Sequence, residues 1–165
     1  MKALTGGTRL AFLLFFGSHI PITLLVDAQA AIPEFMYPQH ALDLVDWYAA
    51  TFGDPLMTRP FEPWFTAIVT AEVLLQLPFF FVAVRMLLTT TSTNHVEYYP
   101  DWFRTACLIY GSHVSTTLLP ILYVVCTHPE PSLMQRTATF AICSPYLIFP
   151  MWLVYIAAWD KRKQE

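Results

Sequence analysis

The chain has 165 residues, of which 56% are hydrophobic and only 13% are charged. Soluble domains carry about 25% charged residues, so this chain has too little polar sequence to coat a soluble core. The net charge is −3 and comes without a basic stripe, which excludes nucleic acid as the expected partner. The composition predicts a membrane protein surrounded by membrane lipids.

Four apolar stretches are long enough to cross a bilayer, which takes about 20 residues of helix. They are residues 10–31, 63–88, 102–126 and 137–159. Each contains proline, which removes a backbone hydrogen bond and tends to kink a helix: Pro21, Pro78, Pro120, Pro145 and Pro150. The sequence therefore predicts an all-α polytopic membrane protein, a four-transmembrane-helix bundle with proline-kinked helices forming one domain over 1–165.

The positive charges predict how the bundle is oriented. With a cytosolic N-terminus, seven Lys and Arg residues fall on the cytosolic side and two on the other, and such a bias favours both termini in the cytosol. The predicted cytosolic tail, residues 160–165, ends in KRKQE. Lys161 and Lys163 there match the K-x-K-x-x pattern that returns membrane proteins to the endoplasmic reticulum. An ordinary positive anchor is the alternative.

The first span also has features of a cleavable signal peptide. Lys2 and Arg9 precede an apolar run, and Ala28-x-Ala30 follows it. Cleavage after Ala30 would leave the other three spans facing the same way. We favour a retained span, because the apolar run is longer than a usual signal core and carries a polar stripe.

The longest connection, residues 32–61, is expected on the lumenal side. A short amphipathic helix is predicted in it, beginning at Pro38 and ending at Gly53. Its apolar face recurs at helical spacing and comprises Ala41, Leu44, Val45, Tyr48 and Phe52. This helix would lie on the membrane interface and partly cover the bundle; plain interfacial anchoring is the alternative.

Every predicted span carries one polar stripe along a single helical face. The stripes are His19, Thr23 and Asp27; Glu72 and Gln76; Tyr110, His113 and Thr117; and Cys143 and Tyr146. Polar groups that face lipid are costly. The four stripes therefore predict a polar interior, and the prolines favour a cavity within it.

The two acids of these stripes are the strongest candidates for function, because a charged group within a span is rare unless it is used. No Lys or Arg lies deep in the predicted bundle to neutralise Asp27 and Glu72. Two like charges that share a site are expected to hold one proton between them, with Glu72 as the protonated partner. For His19, His113 and Gln76, hydrogen bonding within the core is the alternative to a functional role.

The sequence predicts no metal site and no cofactor. The three cysteines, Cys107, Cys126 and Cys143, fall in or at the edge of apolar segments, and neither a CxxC motif nor Cys/His ligand spacing is present. Small buried hydrophobic residues are the favoured interpretation of all three.

Several short motifs in a common order resemble the emopamil-binding-protein-like (EXPERA) family of four-helix membrane proteins. They are SHIPITLLVD at 18–27, FGDPL at 52–56, E-x-x-LQLPFF at 72–80, TTLLPIL at 116–122 and PYLIFP at 145–150. The resemblance runs over nearly the whole chain. It implies an endoplasmic reticulum protein, usually a homodimer, that binds sterols and cationic amphiphilic small molecules in an occluded pocket.

The resemblance also implies roles for particular residues. Asp27 would meet the ligand amine, Glu72 would hydrogen-bond Asp27, and Asp54 would be a structural acid of the lumenal loop. Cys143 stands where the family has an aromatic residue. The implied ligand-binding set is completed by Gln76, Thr117, Tyr146, Trp47, Tyr48, Phe52, Phe65, Leu74 and Cys143.

Two classes of function follow. The first is ligand binding without catalysis, with a role in sterol homeostasis or trafficking through a sterol-transport membrane protein partner, or in membrane-protein quality control. The alternative is a sterol Δ8-Δ7 isomerase, with proton groups drawn from His19, Asp27, Glu72 and His113. No tryptophan lies deep in the first three spans to stabilise a carbocation, so binding is favoured. A transporter is a third, weaker alternative.

Overall fold

The computed structural model describes residues 1–90 and 98–159. Over these residues the chain forms seven α-helices and no β-strand. The helices are α1 (Gly6–Leu25), α2 (Gln39–Phe52), α3 (Pro63–Ala71), α4 (Leu77–Thr89), α5 (Asp101–Thr127), α6 (Leu133–Cys143) and α7 (Pro145–Ala158).

These helices build four segments long and apolar enough to cross a membrane: Gly6–Ala30, Pro63–Thr89, Asp101–Thr127 and Leu133–Ala158. The first adds a 3₁₀ turn to α1, the second joins α3 to α4, the third is α5, and the fourth joins α6 to α7. Large apolar side chains cover their outward faces, among them Leu10, Leu14, Phe81, Ile109, Leu119, Ile148 and Met151. The predicted all-α polytopic bundle is confirmed.

Two of the four spans are interrupted near their middle. In the second span a π-helical turn, Glu72–Gln76, separates α3 from α4, and Pro78 lies in the first turn of α4. In the fourth span, Ser144 separates α6 from α7, which begins at Pro145. Proline is tolerated at a helix start because the N–H it lacks would have no helical partner there. The other three prolines predicted to kink the spans, Pro21, Pro120 and Pro150, lie inside helices.

Helix α1 packs against α4, and α5 packs against α7. The α5–α7 contact is close at Gly111, where an added Cβ would lie 2.4 Å from Val154 Cγ2 and 2.7 Å from the Pro150 carbonyl oxygen. Small residues allow helix backbones to approach in this way inside membranes. Gly111 therefore sets the distance between these two spans.

Aromatic rings fill one half of the bundle. We call the end where the chain begins and α7 finishes the terminus end, and the opposite end, where α2 lies, the α2 end. In the half toward the terminus end, the rings of Phe15 and Phe149 stack with centroids 4.6 Å apart, and those of Phe79 and Tyr110 with centroids 4.5 Å apart. Phe16 contacts both Phe80 and Tyr110. Because rings from all four spans interlock, this half has a packed core.

Two arginines bind helix C-termini at the terminus end. Arg9 Nε donates to the Leu87 carbonyl oxygen at 2.7 Å, and Arg104 Nε donates to that of Ala157 at 2.7 Å. The last carbonyls of a helix lack intrahelical partners and carry partial negative charge, so a guanidinium stabilises them. These contacts tie α1 to α4 and α5 to α7.

Residues 31–62, which we call the lid, cross the α2 end. The helix predicted there is present as α2: Pro38 precedes it, and Gly53 ends it in the left-handed conformation with φ of 63°, as glycine commonly does. The side of α2 toward the bundle buries Ala41, Val45 and Ala49. The lid thus covers the half of the bundle that the aromatic rings leave unfilled.

Arg59 fastens the lid to itself and to the first span. Its guanidinium pairs with Glu34, with Nε 2.9 Å from Oε1, and with Asp46. A third contact runs from Nη2 to Gln29 Oε1 at 2.7 Å, and Gln29 Nε2 in turn donates to the Ala41 carbonyl oxygen at 2.9 Å. One side chain therefore holds two parts of the lid against the end of the first span.

Candidate functional site

A cavity of about 300 Å³ lies between the lid and the aromatic half of the bundle, with walls from all four spans and the lid. Most of its wall is apolar: Ile22, Val26, Leu56, Met57, Phe65, Ile68, Val69, Val114, Leu118, Ile121 and Ile142. The polar side chains on the wall are His19, Asp27, Tyr48, Asp54, Glu72, Gln76, Thr117, Cys143 and Tyr146. Lys and Arg are absent from this lining.

The ionisable groups His19, Asp27 and Glu72 come together on one wall. Each offers a nitrogen or carboxylate oxygen, and these atoms lie within 4.8 Å of one another. The distance from His19 Nε2 to Glu72 Oε1 is 3.8 Å, and Thr23 Oγ1 donates to Glu72 Oε1 at 2.7 Å. The first span therefore presents a stripe of three polar residues to a single acid of the second.

Local structure explains why these groups meet. His19 and Thr23 are four residues apart and share one face of α1, and Asp27 begins the 3₁₀ turn Asp27–Ala30 that follows it. Glu72 begins the π-helical turn and Gln76 ends it, and both side chains line the cavity. One-turn π-helical insertions are frequent at functional sites because they re-aim side chains within a helix.

His19 also forms the floor of the cavity. Its side chain is 5% exposed, and its ring stacks on Phe80 with centroids 4.5 Å apart. The Tyr146 ring contacts it from the side at 4.6 Å. His19 therefore lies between the cavity and the aromatic core.

The lid supplies a third acid, Asp54, which organises its own loop. Leu56 N–H donates to Asp54 Oδ1 at 3.0 Å, and the Tyr48 hydroxyl donates to Oδ2 at 3.2 Å. Burial raises the pKa of Asp54, although the hydrogen bonds from Leu56 and Tyr48 act to lower it. The pKa of Tyr48 is raised mainly by burial and secondly by the nearby Asp54 carboxyl. Tyr48 therefore stays a neutral hydrogen-bond donor. Asp54 holds the lid and also lines the cavity.

The structure brings most of the predicted ligand-binding residues to one place, but not all. Eight of them line the cavity: Asp27, Glu72, Gln76, Thr117, Tyr146, Tyr48, Phe65 and Cys143. Trp47 is 58% exposed and Leu74 is 66% exposed, and neither belongs to the lining. Phe52 lies behind Tyr48, with ring centroids 5.2 Å apart. Lys161 and Lys163 lie outside the described residues.

Two threonines of the polar stripes use their hydroxyl protons differently. The Thr117 hydroxyl donates to the carbonyl oxygens of its own helix at His113 and Val114, both at 3.2 Å, so its proton is used locally. Thr23 is instead the hydroxyl that reaches the acid. Its position midway between His19 and Asp27 on one helical face was the sequence signal for this role.

These features describe a four-span membrane protein with an acid-bearing cavity beneath a lid. The family model described as EXPERA (EXPanded EBP superfamily) matches residues 41–157. The chain belongs to this superfamily, which confirms the resemblance carried by the motifs.

The more particular likeness is to sigma-2 receptors. The chain is 36% identical over 162 residues to Sigma intracellular receptor 2 of Xenopus tropicalis, covering 93% of this chain and 90% of that one. The human protein of the same name is 34% identical over 171 residues, with 92% of each chain covered. Efficient mitochondria targeting-associated protein 19 of Schizosaccharomyces pombe is 28% identical over 141 residues, or 84% of this chain and 68% of that one.

Proposed function

We propose that this protein binds sterols and cationic amphiphilic molecules in its occluded cavity without catalysing their conversion. One observation carries the proposal: Asp27 and Glu72 stand on a single wall of a cavity whose lining is otherwise mostly apolar and contains no Lys or Arg. The cavity volume of about 300 Å³ is at the lower end of the range for small-molecule sites.

The chemistry of such a site selects its ligands. If the two carboxyls share one proton, the pair carries a single negative charge beside mostly apolar walls. A cationic amine would pair with Asp27 there more strongly than in water, because the local dielectric is low. A sterol would donate its hydroxyl to the same carboxylate, and the apolar walls would take either ligand's hydrophobic body.

The relatives support ligand binding as the type of activity. Those from Xenopus tropicalis and human are both named receptors. The match between this chain and each of them covers 90% or more of either protein, so the segments that build the cavity fall within a near full-length match.

The position of the proton groups favours binding over sterol isomerisation. Moving a ring double bond requires an acid at one carbon and a base at another, which spreads the two groups along the substrate. Here His19, Asp27 and Glu72 are clustered within 4.8 Å on one wall. His113, the fourth candidate, is not part of the cavity lining, and neither is any tryptophan.

The proposal is tested on the purified full-length protein in detergent with a photoreactive sterol and a photoreactive cationic amphiphile. Cross-linked peptides are mapped by mass spectrometry, with an excess of unlabelled ligand as the specificity control. We expect competable labelling in the spans and lid segments that line the cavity. Labelling confined to outward-facing residues such as Leu74 would contradict it. Incubation with a Δ8-sterol tests the alternative, and a Δ7 product would establish the isomerase.

We also propose that the protein resides in the endoplasmic reticulum membrane with both termini in the cytosol. The seven-to-two charge bias and the K-x-K-x-x ending support this location. Changing Lys161 and Lys163 to serine in a tagged protein should shift it to later secretory compartments, as seen by imaging. An unchanged location would make the tail a simple anchor. The homodimer and the sterol-transport partner implied by the resemblance stay predictions, and cross-linking in membranes would test them.

A further inference from the structure

We infer that His19, Asp27 and Glu72 form a binding site for a divalent transition-metal cation, with Zn²⁺ as the best fit. The three side chains each direct a possible ligand atom into a region where these atoms lie within 4.8 Å of one another. This inference does not rest on the proposed ligand-binding function, because a metal could bind here whether or not amphiphiles enter the cavity.

The separations suit a cation that draws three ligands together. Zn²⁺ binds histidine nitrogen and carboxylate oxygen at about 2.0–2.2 Å, usually in tetrahedral geometry, so its ligand atoms lie about 3.3–3.6 Å apart. The 3.8 Å from His19 Nε2 to Glu72 Oε1 is slightly longer than this separation. The possible ligand atoms of all three groups lie within 4.8 Å of one another, so a bound cation would draw them closer together.

Two features beyond proximity point to a ligand. First, the cavity lining contains acids but no Lys or Arg to neutralise them, and burying unpaired charge is costly. Second, His19 is only 5% exposed, and its Nε2 faces Glu72 Oε1 at 3.8 Å, which is too long for a hydrogen bond. A histidine so deeply buried, with one nitrogen facing an acid, is the type of residue that metal sites use.

The surroundings also resemble those of metal ligands. Thr23 donates to Glu72 Oε1 at 2.7 Å, and such supporting hydrogen bonds orient ligating carboxylates. The ring of His19 is fixed by Phe80 and Tyr146. Three protein ligands would leave a fourth position open toward the cavity, as in zinc sites that also take a water or a small molecule.

The ligand set selects among cations. Ca²⁺ takes six to eight oxygen ligands, and Mg²⁺ keeps an octahedral shell with several waters, which a mostly apolar cavity does not supply. One imidazole nitrogen with two carboxylates suits Zn²⁺ or a similar transition metal. This conclusion departs from the sequence prediction of no metal site. Ligand spacing within one segment could not reveal a site whose members come from two spans.

The test uses the full-length protein, purified without a histidine tag and stripped with a chelator. Zn²⁺ binding is measured by competition with a chromophoric chelator. We expect one ion per chain, and we expect His19→Ala, Asp27→Asn and Glu72→Gln each to weaken binding by roughly 100-fold or more, because loss of a partner that only orients a ligand already costs about 10–100-fold. The matched control is His113→Ala, because His113 follows a serine in an apolar span, as His19 does, but is absent from the cavity lining. Its affinity should equal that of the parent.

X-ray absorption on the zinc-loaded parent protein makes the test independent of how the variants fold. We expect a nitrogen and oxygen shell at about 2.0–2.1 Å. A sulfur shell near about 2.3 Å would place the ion on a cysteine and overturn the inference. Failure to bind one zinc ion per chain would also overturn it. So would a loss of zinc affinity in His113→Ala as large as the loss in the three ligand variants.

Amphiphile binding is measured separately on the metal-free and zinc-loaded protein. If zinc binds but the amphiphile does not, only the proposed function is contradicted. If the amphiphile binds but zinc does not, only the metal site is contradicted. If both ligands bind, they should compete, because both use Asp27.

Discussion

Replacing Asp27 with asparagine should remove most of the affinity for cationic amphiphiles while leaving the fold intact. The side chain keeps its size and an oxygen that accepts a hydrogen bond, but it loses the negative charge. A buried ion pair at about 4 Å with an effective dielectric of about 20 gains roughly 4 kcal/mol. Truncating one partner of such a pair costs about 2–5 kcal/mol. We expect a loss of about 2–4 kcal/mol, which is roughly 30- to 700-fold in Kd.

The companion variant is Glu72→Gln, and it should lose less. Its amide oxygen can still accept the hydrogen bond that Thr23 donates to Glu72 Oε1 at 2.7 Å, and its NH₂ group can still donate to Asp27. If Glu72 is the protonated member of the pair, this change alters the net charge of the cavity little. The affinity for the cationic amphiphile should decrease in the order parent, Glu72→Gln, Asp27→Asn.

The assay is equilibrium displacement of a labelled cationic amphiphile from each purified variant. A neutral analogue with the same apolar body, in which carbon replaces the amine nitrogen, controls for general damage to the cavity. Its affinity should be nearly unchanged in Asp27→Asn, and the thermal stability of the variant in detergent should match that of the parent. If folded Asp27→Asn binds the amine as tightly as the parent does, Asp27 is structural and the electrostatic argument is wrong.

Three further predictions concern the scaffold around the cavity. Gly111→Ala should lower thermal stability in detergent, because its Cβ would lie 2.4 Å from a side chain of α7. Gly17→Ala is the control and should not lower it, because no atom lies within 4 Å of a Cβ added there. Equal stabilities of the two variants would contradict the close packing. Arg59→Gln should loosen the lid and speed ligand dissociation several-fold, and an unchanged rate would show that the ion pairs do not hold the lid closed. Tyr48→Ala should weaken ligand binding more than Trp47→Ala, since only the first side chain lines the cavity; the reverse order in the displacement assay would place the ligand elsewhere.

Much of the fold follows from local sequence patterns. An apolar run of about 20 residues has few alternatives to a spanning helix, because every backbone polar group must be paired inside a bilayer. The bounds of α2 could also be predicted from the sequence. Pro38 and Gly53 mark its ends through their own backbone preferences, which do not depend on distant contacts. The polar stripes predicted which faces turn inward, since exposure of those groups to lipid is costly.

Other local features were not visible in the sequence. Helical periodicity assumes a constant turn, so it could not show that Glu72–Gln76 forms a π-helical turn. The family resemblance placed both Trp47 and Tyr48 in the ligand-binding set, although successive helical residues point about 100° apart. The fold turns Tyr48 toward the cavity and leaves Trp47 58% exposed.

By itself, the sequence determined the four spans, the helix that covers them and the polar faces of the bundle, because each depends on residues close together in the chain. Only the tertiary structure decided which faces meet. It brings Glu72 to Thr23, 49 residues earlier, and beside His19. It also places Arg59 on Gln29 to hold the lid. Such contacts depend on helix rotation, depth and crossing geometry, which the packing of all four spans sets together.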